Sequence, residues 1–402
     1  MSTQENMTAN RFPPSLLWLT LGAFAIGMTE FVIMGLLPNV AHDLHVTIPQ
    51  AGQLITSYAL GVAIGAPVLT VLTHKVPQKK LLCLLMSIFI LGNLFSVIAP
   101  NYELLIAARM ATALSHGTFL GAGSLIAARL VRADKRAGAI SMVLTGLTVA
   151  NIIGVPFGTF IGQQLGWRAS FGAIVVIGLI SLFGIIRYIP VIQQDKPSSL
   201  KQEVKSLFNP KVLLMLLTGA VGCGSLFTVF TYITPLLTDI SGFAEHSITW
   251  ILVLFGLGVT IGNIVGGKLA DWKLLPSLIA NYAVLAIILA ILTFTLQSQV
   301  LAVITVFIWG IAAFGIMPGI QVRIMNLAYE APLLASTSSH SALNLGNAGG
   351  AFIGGVVINQ MGLSAIPWVA SLITVGGLLL MLVSYMMDRK TAHTEAIAEI
   401  QS

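Results

Sequence analysis

The chain alternates long apolar runs with short polar connections, and the apolar runs determine its architecture. A helix needs about 20 predominantly apolar residues to cross the hydrocarbon core of a bilayer. Twelve runs are close to or above that length, and we number them spans 1 to 12 in chain order. The predicted spans cover residues 15–38, 50–73, 81–99, 104–128, 138–164, 168–189, 211–237, 247–270, 276–297, 300–322, 336–361 and 364–387. The pattern predicts an all-α integral membrane protein with twelve transmembrane helices.

Two sequence stretches recur half a chain apart. Residues 146–166 in span 5 resemble residues 344–362 in span 11, with matching glycines at an offset of 196 residues. Residues 60–65 in span 2 resemble residues 257–262 in span 8 at an offset of 197 residues. Parallel half-repeats with a binding site between them recur in transporters. We therefore predict two pseudo-symmetric six-helix bundles, at residues 15–189 and 211–387. A cytoplasmic linker at residues 190–210 joins them, and cytoplasmic tails at residues 1–14 and 388–402 flank them.

Glycines recur at every fourth residue of span 5, at Gly154, Gly158 and Gly162. This spacing places them on one face of a helix, where small residues let a neighbouring helix approach closely. Pro156 lies among them and has no backbone N–H to continue the helical hydrogen bonds. We therefore expect span 5 to pack closely against another helix and to bend near its centre.

Composition and charge agree with a membrane protein. Only 8% of the 402 residues are charged, against about 25% in soluble proteins. If the N-terminus is cytoplasmic, 18 of the 20 lysines and arginines fall on the cytoplasmic side; Arg168 lies outside and Arg109 lies within a span. This bias predicts that both termini are cytoplasmic. The same bias, together with contact between basic residues and anionic lipid, accounts for the net charge of +6. We therefore expect no nucleic-acid partner.

Cysteine and histidine placement gives no support to a metal site or a disulfide. Cys83 and Cys223 both fall in apolar runs, and the seven histidines are scattered without the spacing of metal ligands. A membrane enzyme would need a clustered metal site or a nucleophile with its base. We therefore predict no metal, no cofactor and no enzymatic activity, with an integral-membrane enzyme as the alternative from another class.

Three ionisable residues lie well inside the predicted spans of the first half. A charge near the bilayer centre costs about 2.5–3.5 kcal/mol on the translocon insertion scale, so each needs a reason. Glu30 is in span 1, and Arg109 and His116 lie seven residues, or about two turns, apart on one face of span 4. All three are candidates for proton coupling. The alternative for Glu30 is a carboxylate that is solvated or paired for folding. The alternative for Arg109 is a structural bond to backbone carbonyls or to Glu30, and that for His116 is a role in packing.

Aromatic and amide side chains are the candidates for contact with an organic substrate. The second half has no interior charge comparable to that of the first and offers these groups instead. Each candidate has an alternative role in helix packing. The candidates over the whole chain are Phe31, Met34, Asn151, Phe227, Phe230, Tyr232, Trp309, Asn344 and Asn347.

These motifs carry a family resemblance that covers nearly the whole chain. Twelve spans in two sets of six resemble the major facilitator superfamily. The stretch 146–166 is similar to the span-5 antiporter motif of its twelve-span drug:proton antiporter branch, and Arg109 with Gly117 resembles the span-4 arginine motif. The arabinose-efflux, sugar-efflux and chloramphenicol-resistance subgroup has similar sequences at Thr29–Phe31, Met34–Leu36, Ser115–Gly117 and Gly166–Arg168.

The resemblance implies two bundles around a central cavity that opens alternately to either side of a bacterial cytoplasmic (inner) membrane, in a functional monomer. Arg109 would stabilise the first bundle and relay coupling, and the glycines and proline of span 5 would shape the bundle interface. Lys75 and Asp271 would belong to the loop motifs after spans 2 and 8. Departures from the family pattern are His74, Pro77, Val155 and Trp272, and the first two put the usual conformational latch after span 2 in doubt.

The combined prediction is a proton-coupled exporter of small organic molecules, either drugs such as chloramphenicol or sugars and related metabolites. A proton from the outer side would neutralise Glu30 and shift the balance between outward-open and inward-open states. Protons and substrate can shift that balance only through different affinities for the two states. The alternative within transport is an uptake symporter or uniporter of the same fold. The expected partners are the substrate, protons and the lipid bilayer.

Overall fold

A computed structural model describes residues 13–73, 76–132, 135–191, 208–328 and 332–401. Every regular element in these ranges is helical, and ten helices are long and apolar enough to cross a membrane. The helix Glu245–Thr295 has 51 residues and leaves helical geometry at Lys273, so it forms two spans. The 28-residue helix Tyr102–Arg129 is also long enough to cross. The prediction of twelve transmembrane helices is confirmed.

The helices follow the predicted order. Spans 1 to 4 are Leu16–Gly35, Ile48–Leu72, Gln78–Ile98 and Tyr102–Arg129. Span 5 consists of Arg136–Val149, a π-helical turn at Ala150–Gly154, and Val155–Leu165, and span 6 is Trp167–Tyr188. Span 7 is Pro210–Phe230, and spans 8 and 9 share Glu245–Thr295. Span 10 is Gln299–Gly315 with Met317–Leu327, span 11 is Pro332–Met361, and span 12 is Ile366–Gln401.

Some predicted ends were wrong, and short helices occupy part of the connections. Span 1 ends at Gly35 and is followed by a separate helix, Leu37–Asp43. Span 7 ends at Phe230 and is followed by the turn Ile233–Pro235 and a π-helical turn, Leu236–Ile240. Span 12 continues as helix to Gln401, beyond its predicted end at residue 387. Residues 192–207 of the predicted linker, residues 1–12 of the first tail, His74 and Lys75 lie outside the described residues.

The two halves repeat the same close helix contacts. A side chain added at Gly158 in span 5 would collide with Val32 in span 1. In the second half, a side chain added at Gly350 in span 11 would collide with the backbone of Gly224 in span 7. Spans 1 and 5 therefore pack as spans 7 and 11 do, as the glycine spacing predicts.

The turn that ends each glycine-rich span is also repeated. Gly166 after span 5 and Gly362 after span 11 have φ angles of +88° and +87°. An L side chain disfavours this left-handed backbone region, whereas glycine adopts it without steric cost. The half-chain repeat in sequence therefore specifies the same turn geometry at both positions.

Span 5 departs from regular α-helix just before its proline. The π-helical turn Ala150–Gly154 immediately precedes the helix that contains Pro156. Such turns arise where the regular hydrogen-bond ladder is interrupted, and proline supplies no N–H to that ladder. The backbone of Asn151 in this turn packs against Gly256 of span 8, in the other half of the chain. The irregular turn thus lies at a contact between the halves.

The halves meet along spans 2 and 11 and along spans 5 and 8. Polar contacts hold them together at the end that carries the connections between spans 1 and 2 and between spans 7 and 8. Gln163 donates to the backbone carbonyl of Glu245 at 2.8 Å, and Asn39 donates to the Glu245 carboxylate at 3.3 Å. Thr234 donates to the carbonyl of Met34 at 2.7 Å. We call this region the closed end; the distribution of basic residues predicts that it faces outside.

Candidate proton and substrate site

Glu30 occupies the junction of spans 1, 4 and 7. Its side chain is buried, with an exposed fraction of 9% for the whole residue. A carboxylate oxygen lies 3.9 Å from Nε2 of His116 in span 4. The Cys223 thiol of span 7 is also within range of electrostatic interaction with the carboxyl. Glu30 therefore lies within electrostatic range of helices from both halves of the chain.

Arg109 is buried beside Glu30 but bonds to the backbone. Its Nη1 donates to the carbonyl oxygen of Thr29 at 2.6 Å. The guanidinium carbon lies 4.3 Å from the centre of the Tyr58 ring, a cation–π contact. Among the described contacts, Arg109 forms no ion pair with Glu30, and its Nε and Nη2 have no hydrogen-bond partner. Of the alternatives that the sequence left open, the structure shows binding to a backbone carbonyl.

Tyr58 in span 2 is a member of this site that sequence reasoning missed. Its hydroxyl lies 3.2 Å from Nδ1 of His116, and both side chains are buried. Glu30, His116 and Tyr58 therefore form a line of titratable side chains across three spans. The available signal was a tyrosine near the middle of a predicted span, since a buried phenol needs a polar partner.

His340 in span 11 is a second residue that the sequence analysis did not select. It acts electrostatically on His116, so the two imidazoles lie within electrostatic range of each other across the halves. Asn344 and Asn347 follow it at helical spacing, and both amide oxygens are buried without a hydrogen-bond partner. The Asn344 amide nitrogen donates to the His340 carbonyl at 3.0 Å. The second half thus presents polar groups to the proton-site residues of the first.

Four predicted aromatic residues form one cluster next to this site. Phe31, the residue after Glu30, has its ring centre 6.1 Å from those of Phe227 and Phe230. Phe230 continues the cluster towards span 10, where its ring centre lies 6.2 Å from that of Trp309. Phe255 in span 8, which the sequence analysis missed, stacks on Phe230 at 4.6 Å. Phe31 is the one member from the first half among these five rings.

Three candidate substrate contacts lie elsewhere. Tyr232 donates to the carbonyl of Ala351 at 2.9 Å at the closed end. The Met34 side chain is fully buried, and its carbonyl accepts the Thr234 bond at that same end. The Asn151 amide donates to the Leu147 carbonyl at 3.1 Å, within its own helix. These contacts correspond to the packing alternatives that the sequence analysis gave for such residues.

The predicted motif residues lie away from the ionisable side chains. Gly154, Gly158 and Gly162 all face span 1. Asp271 is exposed at the end of span 8, two residues before the break at Lys273. In the described part of the chain, no group of three or more His, Cys, Asp or Glu residues is arranged to hold a metal ion. The side chains gathered at the site are a carboxyl, an imidazole, a phenol, aromatic rings and amides.

Comparisons with known proteins give a consistent result. The sequence profile described as the Major Facilitator Superfamily matches residues 19–339. "Uncharacterized MFS-type transporter YtbD" of Bacillus subtilis is 41% identical over 94% of this chain and 96% of its own. "Inner membrane transport protein YdhP" of Escherichia coli K12 is 42% identical over 95% and 98%. "Putative transporter AraJ" of the same organism is 31% identical over 85% and 87%.

A solved structure has the same fold. A bacterial homologue of the human lysosomal transporter Spinster, in an inward-facing and unoccupied conformation, matches with a TM-score of 0.65 over 92% of this chain and 94% of its own. Sequence identity to it is 16%, so the match speaks for the fold alone.

Proposed function

The chain belongs to the major facilitator superfamily and is a membrane transporter of that kind, and on this premise we propose that it is a proton-coupled exporter of small organic molecules. The proposed location is a bacterial inner membrane with both termini in the cytoplasm, as the basic residues predict. In this proposal, a proton is the coupling ion, Glu30 carries it, and the substrate leaves the cell.

The observation that carries the proposal is the buried Glu30 carboxyl beside His116 and the aromatic cluster. A carboxyl at lipid depth is costly when charged, so such a group is a functional candidate by default. The Arg109 guanidinium is held on the Thr29 carbonyl, one residue from Glu30, and supplies a fixed positive charge nearby. Glu30 can therefore exist in either state at this position: ionised against Arg109 and His116, or neutral against the apolar surroundings.

Coupling follows from the position of Glu30 between the halves. When the carboxyl is ionised, it attracts the groups of span 4, and when it takes up a proton that attraction is lost. Phe31, the next residue, contacts Phe227 and Phe230 of the other half. In this proposal, a substrate that binds among these rings favours the ionised state of Glu30. Protonation and substrate binding then bias the same two-state equilibrium in opposite directions.

Export is the direction favoured by the glycine–proline stretch of span 5, through its resemblance to the antiporter motif. The closed end supports a conformation that opens towards the cytoplasm, where an exporter collects its substrate. Uptake by symport or uniport on the same fold is the alternative, and the direction of proton movement separates the two.

The test uses purified protein in liposomes with a pH-sensitive dye inside. Chloramphenicol, arabinose, thiogalactosides and nucleosides are added in turn, and the internal pH is followed in the wild type, Glu30→Gln and Glu103→Gln. Glu103 is an exposed acid at the start of span 4 and serves as the matched control.

The proposal expects a substrate-dependent pH change in the wild type and in Glu103→Gln that is lost in Glu30→Gln. Substrate flux without any pH change, unaltered in Glu30→Gln, contradicts proton coupling and leaves a facilitator. A proton movement in the same direction as the substrate contradicts export and leaves a symporter.

A further inference from the structure

One face of span 11 carries a polar stripe that points to the first half. His340, Asn344 and Asn347 are spaced by four and three residues, which places them on one side of a helix. His340 acts on His116 of span 4. On the next turn, the carbonyl of Ala348 accepts a hydrogen bond from Thr56 of span 2 at 3.5 Å. The stripe therefore faces the interior between the halves, where a transported molecule passes.

Two acceptors on this stripe are left without donors. The exposed fractions of Asn344 and Asn347 are 7% and 5%, and the Oδ1 atom of each has no hydrogen-bond partner. A buried polar group without a partner costs about 1–3 kcal/mol. Two free acceptors three residues apart on one helix face can accept hydrogen bonds from an external donor.

The register of the helices places these acceptors at about the depth of Glu30. Span 11 packs on span 7 with Gly346 against Ala220 and Gly350 against Gly224. Asn347 therefore lies within one helical turn of the level of Cys223 on span 7. The Cys223 thiol is within electrostatic range of the Glu30 carboxyl. The free amide oxygens and the proton site thus lie at the same depth.

The aromatic cluster lies next to the same position. Phe227 follows Cys223 by four residues, on the same face of span 7, and its ring meets Phe31. Within the cluster, the indole N–H of Trp309 is also buried without a partner. Aromatic rings and free acceptors therefore lie at a similar depth between the halves. Rings pair with rings by stacking or edge contacts, and free acceptors pair with hydroxyl or amino groups.

We propose that Asn344 and Asn347 form the subsite that accepts hydrogen bonds from the substrate, and that the substrate class is an aromatic organic molecule with hydroxyl or amino donors. This inference rests on the proposed function insofar as the ligand is the transported molecule. It adds which chemical groups are recognised and which two residues recognise them.

The test measures binding of two matched probe pairs to the purified protein in detergent, without a proton gradient. Rhodamine 123 has amino groups that are fully methylated in tetramethylrhodamine methyl ester, and chloramphenicol has hydroxyls that are blocked in its diacetate. Affinities are measured for the wild type, Asn344→Leu and Asn347→Leu. Asn281→Leu is the matched control, because Asn281 is an amide in span 9 that donates to the Gly315 carbonyl of span 10.

The wild type is expected to bind the donor-bearing member of a pair about tenfold more tightly than its blocked counterpart, the effect of about one hydrogen bond. In Asn344→Leu and Asn347→Leu this preference falls to about twofold or less, with the blocked probe bound as before. Asn281→Leu keeps the wild-type preference.

Three results overturn the inference: no probe of either pair binds the wild type, the wild type shows no preference for donors, or the variants weaken both members of a pair equally. The last result is expected if the two amides only support packing. Because binding is measured without a gradient, donor preference can be present while the liposome test shows no proton movement, or absent while proton movement occurs. Failure of the inference and failure of proton coupling are thus distinguishable.

Discussion

Nε2 of His116 in span 4 lies 3.9 Å from a carboxylate oxygen of Glu30 in span 1. This separation is too long for a direct hydrogen bond, but it allows strong attraction when the imidazole carries a proton. The opposite ring nitrogen faces the Tyr58 hydroxyl at 3.2 Å. His116 thereby connects the carboxyl to span 2, which packs against span 11 of the other half.

Removal of the Tyr58 hydroxyl should change the pH dependence of transport. Tyr58→Phe leaves Nδ1 of His116 without its partner and costs about 1 kcal/mol. The midpoint of the pH–rate profile should move by about half a unit to one unit. Tyr102→Phe is the control, since that hydroxyl also bonds span 2, at the Gln50 carbonyl, but at the protein surface. Identical profiles for the two variants would show that Tyr58 has no part in proton transfer.

Arg109 should matter for stability because its charge is fully enclosed. Arg109→Leu removes the bond to the Thr29 carbonyl and the contact with the Tyr58 ring, at a cost of about 2–4 kcal/mol. Arg109→Lys should recover only part of this stability, because an ammonium group is not planar and can neither stack on a ring nor form two parallel hydrogen bonds as a guanidinium does. Apparent melting temperatures in detergent measure the effect. A control variant, Arg187→Leu at an exposed position, should change little, and an equal loss in both variants would contradict a special role for Arg109.

A disulfide between spans 2 and 11 should hold the closed end shut and stop transport. A Cβ placed at Gly355 of span 11 would lie 3.6 Å from Cβ of Pro49 in span 2, within the range that disulfides require. It would also lie 2.9 Å from the Tyr232 hydroxyl, which has to shift to make room for the cysteine. Pro49→Cys with Gly355→Cys, in a background where Cys83 and Cys223 are alanine, should oxidise readily and stop transport. A reductant should restore it, and each single cysteine variant should transport with or without oxidant. Normal transport by the fully cross-linked protein would mean that this end does not open.

The Asp43–Arg168 pair should add stability only above acidic pH. Hydrogen bonds from Arg168 and Trp167 hold the pKa of Asp43 below its ordinary value. Its contribution is therefore fully present above the unfolded pKa of about 3.9 and is lost as the pH falls through the lower folded value. The two side chains are 46% and 35% exposed, so the contribution is below about 1 kcal/mol. Asp43→Asn should lower the apparent melting temperature slightly at pH 7.

At a pH below the lowered folded pKa of Asp43, the same comparison should show little difference between Asp43→Asn and the wild type, because both then carry a neutral side chain in the folded protein. Glu103→Gln, which changes an exposed acid at the start of span 4, serves as the control at both pH values. A deficit of Asp43→Asn that persists undiminished at low pH would assign the effect to packing of the helix Leu37–Asp43 instead of to charge.

The number and order of the spans could be predicted because each needs a long apolar run and nothing else in the sequence produces one. The glycine repeat also predicted that span 5 packs closely against another helix, because glycine has no side chain to hold a neighbour away. The identity of that helix, span 1, comes from the fold. Helix ends were harder to predict, because a break such as that at Leu36 depends on Pro38 and on tertiary contacts beyond the apolar pattern.

The site could be predicted only where a residue is costly at lipid depth. Glu30, Arg109 and His116 could be selected because they are ionisable residues inside predicted spans. Tyr58 and His340 lie on other spans, and only the folded structure brings them near His116. The reverse holds for Tyr232. Its residue type suits an organic substrate, but its position after the end of span 7 commits it to the closed end.

The measurement that tests the central claim most directly is proton release on substrate binding. Purified protein in weak buffer with a pH indicator is titrated with a substrate identified in the liposome screen. The wild type should release protons in proportion to the substrate bound, because binding favours the ionised Glu30. Glu30→Gln, whose neutral amide mimics the protonated carboxyl, should bind the substrate more weakly and release no protons even when it is saturated with substrate. Equal proton release from Glu30→Gln and the wild type would contradict the assignment of the coupled proton to Glu30.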